Sequence, residues 1–460
     1  MLTSPVTGDS RLSFWLRVRE FAVPPSMIET ATARRLAGDW GGACAAAGFD
    51  VDVQPRTVAR VHGAELAARV RADLRHLAPD LLRWHMPRIA PDGLLRPGVT
   101  LTLARYDRAG ERPVHLVVRT PPAWADAGQR ISLALWDGSP GSGAGGGRHP
   151  HPPPHRRYRL DLHRHLWDAR RADELRVRSG VDDPPVTDPA VLRLVPTGRR
   201  CAVDRWAAEA AILLRAEGRS GGRVVVRCGA RQRLALDLAA DRDGPPPPVM
   251  RITEASRSAG ASALPVLPDA ATWVLPDLEL LRAGAIEAGR LHPLVAPALV
   301  PGHVPDAAGA APDPAGRPRL VDCRGALHRI GLVDGVLAPL DHDPDEVRRE
   351  ELLAALSGTP LPCLRVIDET HRHPECLDDV RGRLAHGDVS GALAVVEGLL
   401  GPDAVLRGGA LRDELEAAAQ QRIVYGLFRA GLIGPGPRRL PQDEPRPRAH
   451  RSHPRLATRG

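Results

Sequence analysis

The 460-residue chain contains no lysine and no asparagine, so all 63 of its basic side chains are arginine. The first absence excludes chemistry. A phosphate-cradling loop of the form G-x-x-x-x-G-K-[ST] needs a lysine, and so do the Schiff base of a pyridoxal enzyme and the β3 position of a protein kinase. Lysine and asparagine are read from A/T-rich codons, and the chain is correspondingly loaded with Ala, Gly, Pro and Arg. A GC-rich coding sequence therefore explains the arginines without any selected affinity for nucleic acid. Aromatic residues are scarce too, at eight Trp, three Tyr and four Phe, which leaves Leu, Val and Ala to fill a core. No stretch approaches the roughly 18 uninterrupted apolar residues of a membrane span. The opening Met1-Leu2-Thr3-Ser4-Pro5 lacks the charged and then apolar segments of a secretion signal. The expectation is a cytoplasmic protein with no membrane partner. Its six cysteines (Cys44, Cys201, Cys228, Cys323, Cys363 and Cys376) form no C-x-x-C pair and read mostly as buried thiols.

The net charge of +8 is unevenly placed. Seven arginines against Asp443 and Glu444 lie in residues 434 to 460, so five of the eight net charges belong to that end. The body carries no strong field of its own. Nucleic-acid binding is therefore not expected, except nonspecifically through the tail.

Length suits two to four domains. Residues 1–97 read as helical. Ser26 and Glu29 have capping-box spacing ahead of a helix to Leu36, Asp39 can cap a second helix, and Leu66, Val70, Leu74 and Leu77 make one stripe. Pro79 starts a further turn carrying Leu82 and Trp84. Residues 98–242 change to a period of two, seen in Leu101 and Leu103, in Ile131, Leu133 and Leu135, and in Leu160 and Leu162. This predicts an antiparallel, β-rich domain, with a disordered Gly/Ser- and His/Pro-rich loop at 137–157. A helix through Val203, Trp206, Ala210, Leu213 and Leu214 precedes a hairpin. Residues 243–318 are linker-rich with one helix. A β-meander and a helical bundle occupy 319–433, opened by Asp343, Pro344 and Glu346, with stripes at Val389, Leu393, Val396, Leu400 and at Leu411, Leu415, Ile423, Leu427. The fold class is α+β: helical N-terminal segment, antiparallel β-rich middle, C-terminal helical bundle.

Motifs that could carry chemistry fail on context. Gly218-Arg-Ser220-Gly-Gly222 matches the nucleophile elbow as a string, but here a helix precedes and a strand follows, the reverse of what an elbow needs. Gly141-Ser-Gly143-Ala-Gly-Gly146 matches a dinucleotide loop, yet His149-Pro-His-Pro-Pro-Pro154 follows in place of a helix N-terminus. The best metal candidates are Cys363, His371, His373 and Cys376. Their types suit zinc, but no C-x2-C knuckle is present and the two histidines would diverge on a helix, so the sequence predicts neither metal nor cofactor. His149, His151, His155, His163 and His165 read as a solvated tract, and Asp341, Asp343, Asp345 and Glu346 as helix-capping carboxylates.

Leu36-Ala-Gly-Asp-Trp-Gly-Gly-Ala43 resembles Leu384-Ala-His-Gly-Asp-Val-Ser-Gly-Ala392. Two copies so far apart make no repeat array, and a Gly-Asp that stops one helix and caps the next explains both. The block of Met27-Ile-Glu-Thr30, Arg35-Leu-Ala-Gly-Asp-Trp40 and Gly42-Ala-Cys44 resembles proteins of high-GC bacteria over about the first hundred residues. That resemblance implies no activity.

With no catalytic constellation surviving, the expected function is a non-enzymatic interaction or scaffold protein with an unidentified protein partner. Val424, Tyr425 and Phe428 are the candidate partner surface, because they widen the apolar face of the last helix in a chain poor in aromatics. The alternatives are a metal-dependent hydrolase using the Cys363 to Cys376 region, or nonspecific nucleic-acid binding through the tail. Deleting residues 434 to 460 should leave the unfolding midpoint unchanged, since that segment has almost nothing apolar to bury. A destabilised truncation in thermal melting would show that the tail packs.

Overall fold

In the computed structural model the chain is α+β, with N-terminal helices, a central sheet region that is largely antiparallel, and C-terminal helices. The structure describes residues 10–125 except 109 and 111, 128–138, and 152–303 except 184–187, 197–199, 230–231, 240–249 and 256–263. Beyond these it describes 319–323, 326–333, 336–357, 376–400 and 408–430, with 362, 364–365, 367, 406 and 432. Among the described residues, no helix is long and apolar enough to cross a membrane. Two compact units divide the chain: one takes the described residues up to 305 apart from 125–129, the other those few and residues 306–433.

The first unit opens with α1 (Ser10–Arg17), a π-helical turn (Val18–Ala22), α2 (Pro25–Leu36) and α3 (Trp40–Ala46). Pro25, not Ser26, starts α2, and no side chain caps it; Ser26 lies inside the helix and its carbonyl accepts from Thr30 Oγ1. Proline at the first helical position is already fixed near helical φ, so the capping box is unnecessary. Strand β1 (Phe49–Val51), α4 (Pro55–His62), α5 (Ala64–His76) and α6 (Pro79–Trp84) follow. The stripe Leu66, Val70, Leu74 and Leu77 is buried as expected, and every residue of α6 is buried. A two-stranded ribbon, β2 (Arg88–Ile89) and β3 (Leu94–Leu95), leads to β4 (Thr100–Tyr106), β5 (Val114–Arg119) and β6 (Ile131–Trp136).

The main sheet has the order β1-β6-β5-β4, antiparallel except for the β1–β6 pair. Thr100 and Thr102 in β4 are buried, as Leu101 and Leu103 are, so neither face of this strand is wet. The cause is the segment assigned to a disordered loop. Residues 152–157 are laid along β4: His155 N donates to Thr100 O, Thr100 Oγ1 to Pro152 O, and Thr102 N to the carbonyl of Tyr158. Leu160 and Leu162 lie in a 3₁₀ turn, not a strand, and His163 and His165 are buried instead of solvated.

A second core in the same unit packs the Val203–Ala216 helix on a sheet of β7 (Gly222–Arg227), β8 (Arg233–Leu238) and β9 (Met250–Glu254). Strand β9 falls inside the stretch read as linker, and Leu267 beyond it is fully buried. The helix Pro276–Arg282 then returns to the first core.

The second unit is the expected meander of β10 (Arg319–Cys323), β11 (Ala326–Val333) and β12 (Val336–Pro339), then helices Pro344–Ser357, Leu377–His386, Val389–Leu400 and Ala410–Arg429. Two stripes are shifted. Ala392 and Val396 face inward while Leu393 is exposed, and Leu411 is buried while Ile423 and Leu427 are exposed. Steps of four residues drift about 40° each on a helix of 3.6 residues per turn, so Leu427 ends roughly 160° from Leu411. Mixed steps of three and four carry the buried face from Leu411 through Leu415 and Ala418 to Tyr425.

The two Gly-Asp copies share one geometry. Gly38 and Gly387 take φ of +78° and +85°, a region that favours glycine, and end their helices. Asp39 Oδ1 accepts from Gly42 N at 2.8 Å, and Asp388 Oδ1 from Gly391 N at 2.9 Å. Arg34 pairs with Asp39 at 3.2 Å and Arg383 with Asp388 at 2.9 Å. A Cβ on Gly42 or Gly391 would stand 2.1 or 2.0 Å from Oδ2 of the capping carboxylate. Gly42→Ala and Gly391→Ala should each cost about 1–2 kcal/mol by displacing a cap. Urea unfolding checks this, and unchanged midpoints for both would show that the caps contribute nothing.

Candidate ligand pocket

The sequence-derived sites are not brought together. Cys363, His371 and His373 lie outside the described residues, and Cys376 is half-buried just before the Leu377–His386 helix. Among the described residues no group of three or more His, Cys, Asp or Glu could hold a metal. Ser220 sits in an exposed turn between the Val203–Ala216 helix and β7, the helix-to-strand order expected. Gly141–Gly146, His149 and His151 lie outside the described residues. Asp341 grips Arg329 through both oxygens, which holds its carboxyl down at about 2, and Asp343 caps the next helix through Asp345 N. On the last helix Tyr425 and Phe428 are 5% and 4% exposed, so the chain itself covers them; Val424 is half-buried.

The site that the structure does assemble lies in the first unit, where its two cores meet. A pocket of about 550 Å³ draws its wall from five separate stretches: Arg11 to Trp15 on α1, Trp84 to Arg96 around the β2–β3 ribbon, Leu101 on β4, Arg157 to Leu166, and Asp269 to Pro276. That volume is within the range of small-molecule sites. The wall takes Phe14, Trp15, Trp84, Tyr158 and Trp273, five of the fifteen aromatic side chains in the chain. Phe14 meets Trp15 edge-on at 4.8 Å, and Trp15 tilts against Trp84 at 5.5 Å.

Beside the aromatics stand five arginines, Arg11, Arg88, Arg96, Arg157 and Arg159, against one carboxylate, Asp269. Three of them are paired. Arg11 meets Glu279 at 2.9 Å, Arg159 meets Asp161 at 2.7 Å, and Arg157 forks onto Asp269 at 2.8 and 2.7 Å. Burial opposes the Arg157 charge, but that fork more than offsets it and its pKa is raised. Arg88 and Arg96 have no such partner among the described residues. Arg88 donates from Nη1 to Gly93 O at 2.8 Å and from Nη2 to Arg83 O at 2.7 Å, and its buried Nε meets no acceptor. Burial and the neighbouring Arg83 both act against the Arg88 charge, pushing its pKa well down.

Local sequence explains the placement. Pro79 opens α6 and Pro87 follows it by three residues, so the helix stops at Trp84 and His85 is delivered to the pocket wall. Trp84 Nε1 donates to Asp277 Oδ2 at 2.6 Å, and Asp80 meets His292 Nε2 at 2.8 Å. Leu294 N donates to His292 Nδ1, so the proton of a neutral His292 sits on Nε2, toward Asp80. His85 is neutral at pH 7: burial lowers its pKa to about 4, Asp277 pulling up against His292 and Arg88. Glu209, on the Val203–Ala216 helix, is held at about 2 by His163 and the fork of Arg178 at 2.6 Å, against the burial that would raise it.

Comparison with known protein families, with curated proteins and with solved structures finds no match for this chain.

Sequence reading missed this pocket because its wall comes from five distant stretches. The one signal was aromatic scarcity: Phe14-Trp15 and Trp84 are conspicuous in so aromatic-poor a chain. His85 also makes a pH prediction. Its folded pKa of about 4 lies below the ordinary 6.5, so between these values the unfolded chain binds the proton and the folded one does not. The stability from neutral His85 is full above pH 6.5 and declines toward pH 4, by about 3 kcal/mol in all. Denaturant titrations at stepped pH should show this slope, flattened in His85→Gln; an equally steep variant would place the proton uptake elsewhere.

Proposed function

We propose that the first unit is a binding module for a small organic anion with an apolar, ring-containing body, acting by recognition and not by chemistry of its own. The observation that supports this most is the pocket's composition: an aromatic wall beside two guanidinium groups, Arg88 and Arg96, that form no close ion pair with a carboxylate among the described residues, Asp269 acting on Arg96 only from farther off. Aromatic faces favour a flat apolar body, and a desolvated cation without a partner favours an anion. His85, with a pKa of about 4, is too weakly basic to suit general-base catalysis near neutrality. Isothermal titration of the full chain tests the reading with a matched pair of probes. 1-Naphthoate should bind and 1-naphthylmethylammonium should not. Absence of heat with the acid, or equal affinity for both, overturns it.

A protein partner is the second reading. It draws on the Pro344–Ser357 helix, where Leu352 and Leu356, four residues apart, are 63% and 88% exposed. An apolar pair on an outer face suits a contact surface. Leu352→Ser/Leu356→Ser should leave the melting temperature unchanged and abolish any association that a pull-down with the wild type detects. Retained association places the contact elsewhere.

A further inference from the structure

Where the Arg157–Leu166 stretch of the pocket wall meets Asp269, charge gathers at a point that solvent reaches. Besides its fork onto Asp269, Arg157 accepts from Asp269 N at its own carbonyl at 2.9 Å, and its Cζ stands 5.7 Å over the Tyr158 ring. The His155 ring tilts against the same tyrosine at 5.2 Å, and Arg157 N donates to His155 Nδ1 at 3.1 Å. The side chains of Arg157 and Asp269 are 20% and 23% exposed, and Arg96 is half-buried on the same wall. These groups are held in place and still open to a ligand.

Two further guanidiniums act on this point. Burial raises the Asp269 pKa, while Arg157, Arg96 and His155 all pull it down. Burial and Asp269 raise the Tyr158 pKa, and Arg157, Arg96 and Arg227 oppose them. Charges that bear on the same two side chains share one small region, because such effects fade within several ångströms. His155 adds no charge at neutral pH: partial burial, then Arg157 and Arg227, lower its pKa. Arg96, Arg157 and Arg227 therefore stand against the single carboxylate of Asp269, a surplus of two positive charges. Arg96 spends no side-chain donor on another described residue, and the fork leaves Arg157 Nη1 unused. A carboxylate or other monoanion would offset half of that surplus. A phosphate monoester carries nearly two negative charges above its second pKa of about 6, with three acceptor oxygens for guanidinium donors.

Resting on the anion-binding reading above, we propose that the ligand is an aryl phosphate monoester whose dianionic phosphate is received by Arg96 and Arg157, beside Asp269, while its ring lies against the aromatic wall. Asp269 fixes the plane of the Arg157 guanidinium before the ligand arrives, so little side-chain freedom is lost on binding. Arg227 adds its charge from β7 and is not part of the pocket wall.

Isothermal titration of the full chain at about pH 8, above that second pKa, tests this with three probes: 1-naphthyl phosphate, 1-naphthyl sulfate and 1-naphthoate. The sulfate has the shape of the phosphate with one charge fewer. The wild type should bind the phosphate roughly tenfold or more tightly than either monoanion. Arg96→Gln should weaken the phosphate about tenfold or more, while Arg96→Lys, which keeps the charge, stays within about threefold of the wild type. If Arg96→Gln does not fold, Arg227→Gln carries the test, with an expected loss of about threefold or more. Phosphate and sulfate bound equally well, or a phosphate affinity that Arg96→Gln leaves unchanged, overturns the proposal; the anion-binding reading then still stands if 1-naphthoate binds. If none of the three probes binds the wild type, both fall.

Discussion

The first unit depends on a six-residue helix, Pro79–Trp84, that is buried on every side while carrying Asp80, Arg83 and the indole N–H of Trp84. Nothing in water can satisfy these groups, so the fold must bring their partners to them. Arg83 reaches the carbonyls of Ala22 and Ala47 at 2.9 and 3.3 Å, Asp80 meets His292, and Trp84 meets Asp277. These bonds tie the π-helical turn, the end of α3, and two segments about two hundred residues downstream to one short helix. Gly48 belongs to the same constraint: at φ +74° it turns the chain after α3, and a Cβ there would stand 3.1 Å from Arg83 Nη1. Removing one partner would strand a buried charge, which costs more than losing the bond itself. The pocket follows from this arrangement, because the residues just past the helix, His85 to Arg88, are held where α1 and the returning Pro276–Arg282 segment must pass.

Much of the architecture was legible because it rests on short-range rules. Asp39 and Asp388 cap their helices as the Gly-Asp strings implied, and Pro79 and Pro344 start theirs. The meander and the β7–β8 hairpin follow from alternating runs with turns between. What failed needed long-range knowledge. Pro152 to Arg157 has the composition of a loop, and only the free edge of β4, waiting for backbone donors and acceptors, makes it ordered. Met250–Glu254 likewise becomes a strand because β8 offers an edge. Ile423 and Leu427 were misplaced by a purely four-residue step, and Leu393 by a stripe set one position off the buried Ala392, errors of angle and not of helix existence.

The candidate site was the least legible part, for a related reason. Motif reading looks for chemistry within a short window, and every such window here failed in context. The pocket has no motif. Its members are ordinary residues, Trp, Arg and His, whose meaning comes from burial beside one another. A histidine just past a short buried helix reads as core, and His85 differs only in that its Nε2 meets no hydrogen-bond partner among the described residues. An arginine in a chain with 63 of them reads as composition, and Arg88 differs only in that its charge is unmet.

The absence of lysine then acquires a structural meaning beyond codon usage. Where this protein buries a positive charge it does so with a planar fork that can spend its donors separately. Arg157 on Asp269, Arg178 on Glu209 and Arg130 on Asp50 each use two parallel bonds to one carboxylate. Arg88 divides the same fork differently, giving two nitrogens to backbone carbonyls and keeping the third unspent. An ammonium could not do this, since its three donors share a single point charge on a flexible stem and carry no fixed plane. A lysine at this position would satisfy itself by moving. The arginine cannot move without breaking its two anchors, so its unspent donor stays buried where an ammonium would have turned away.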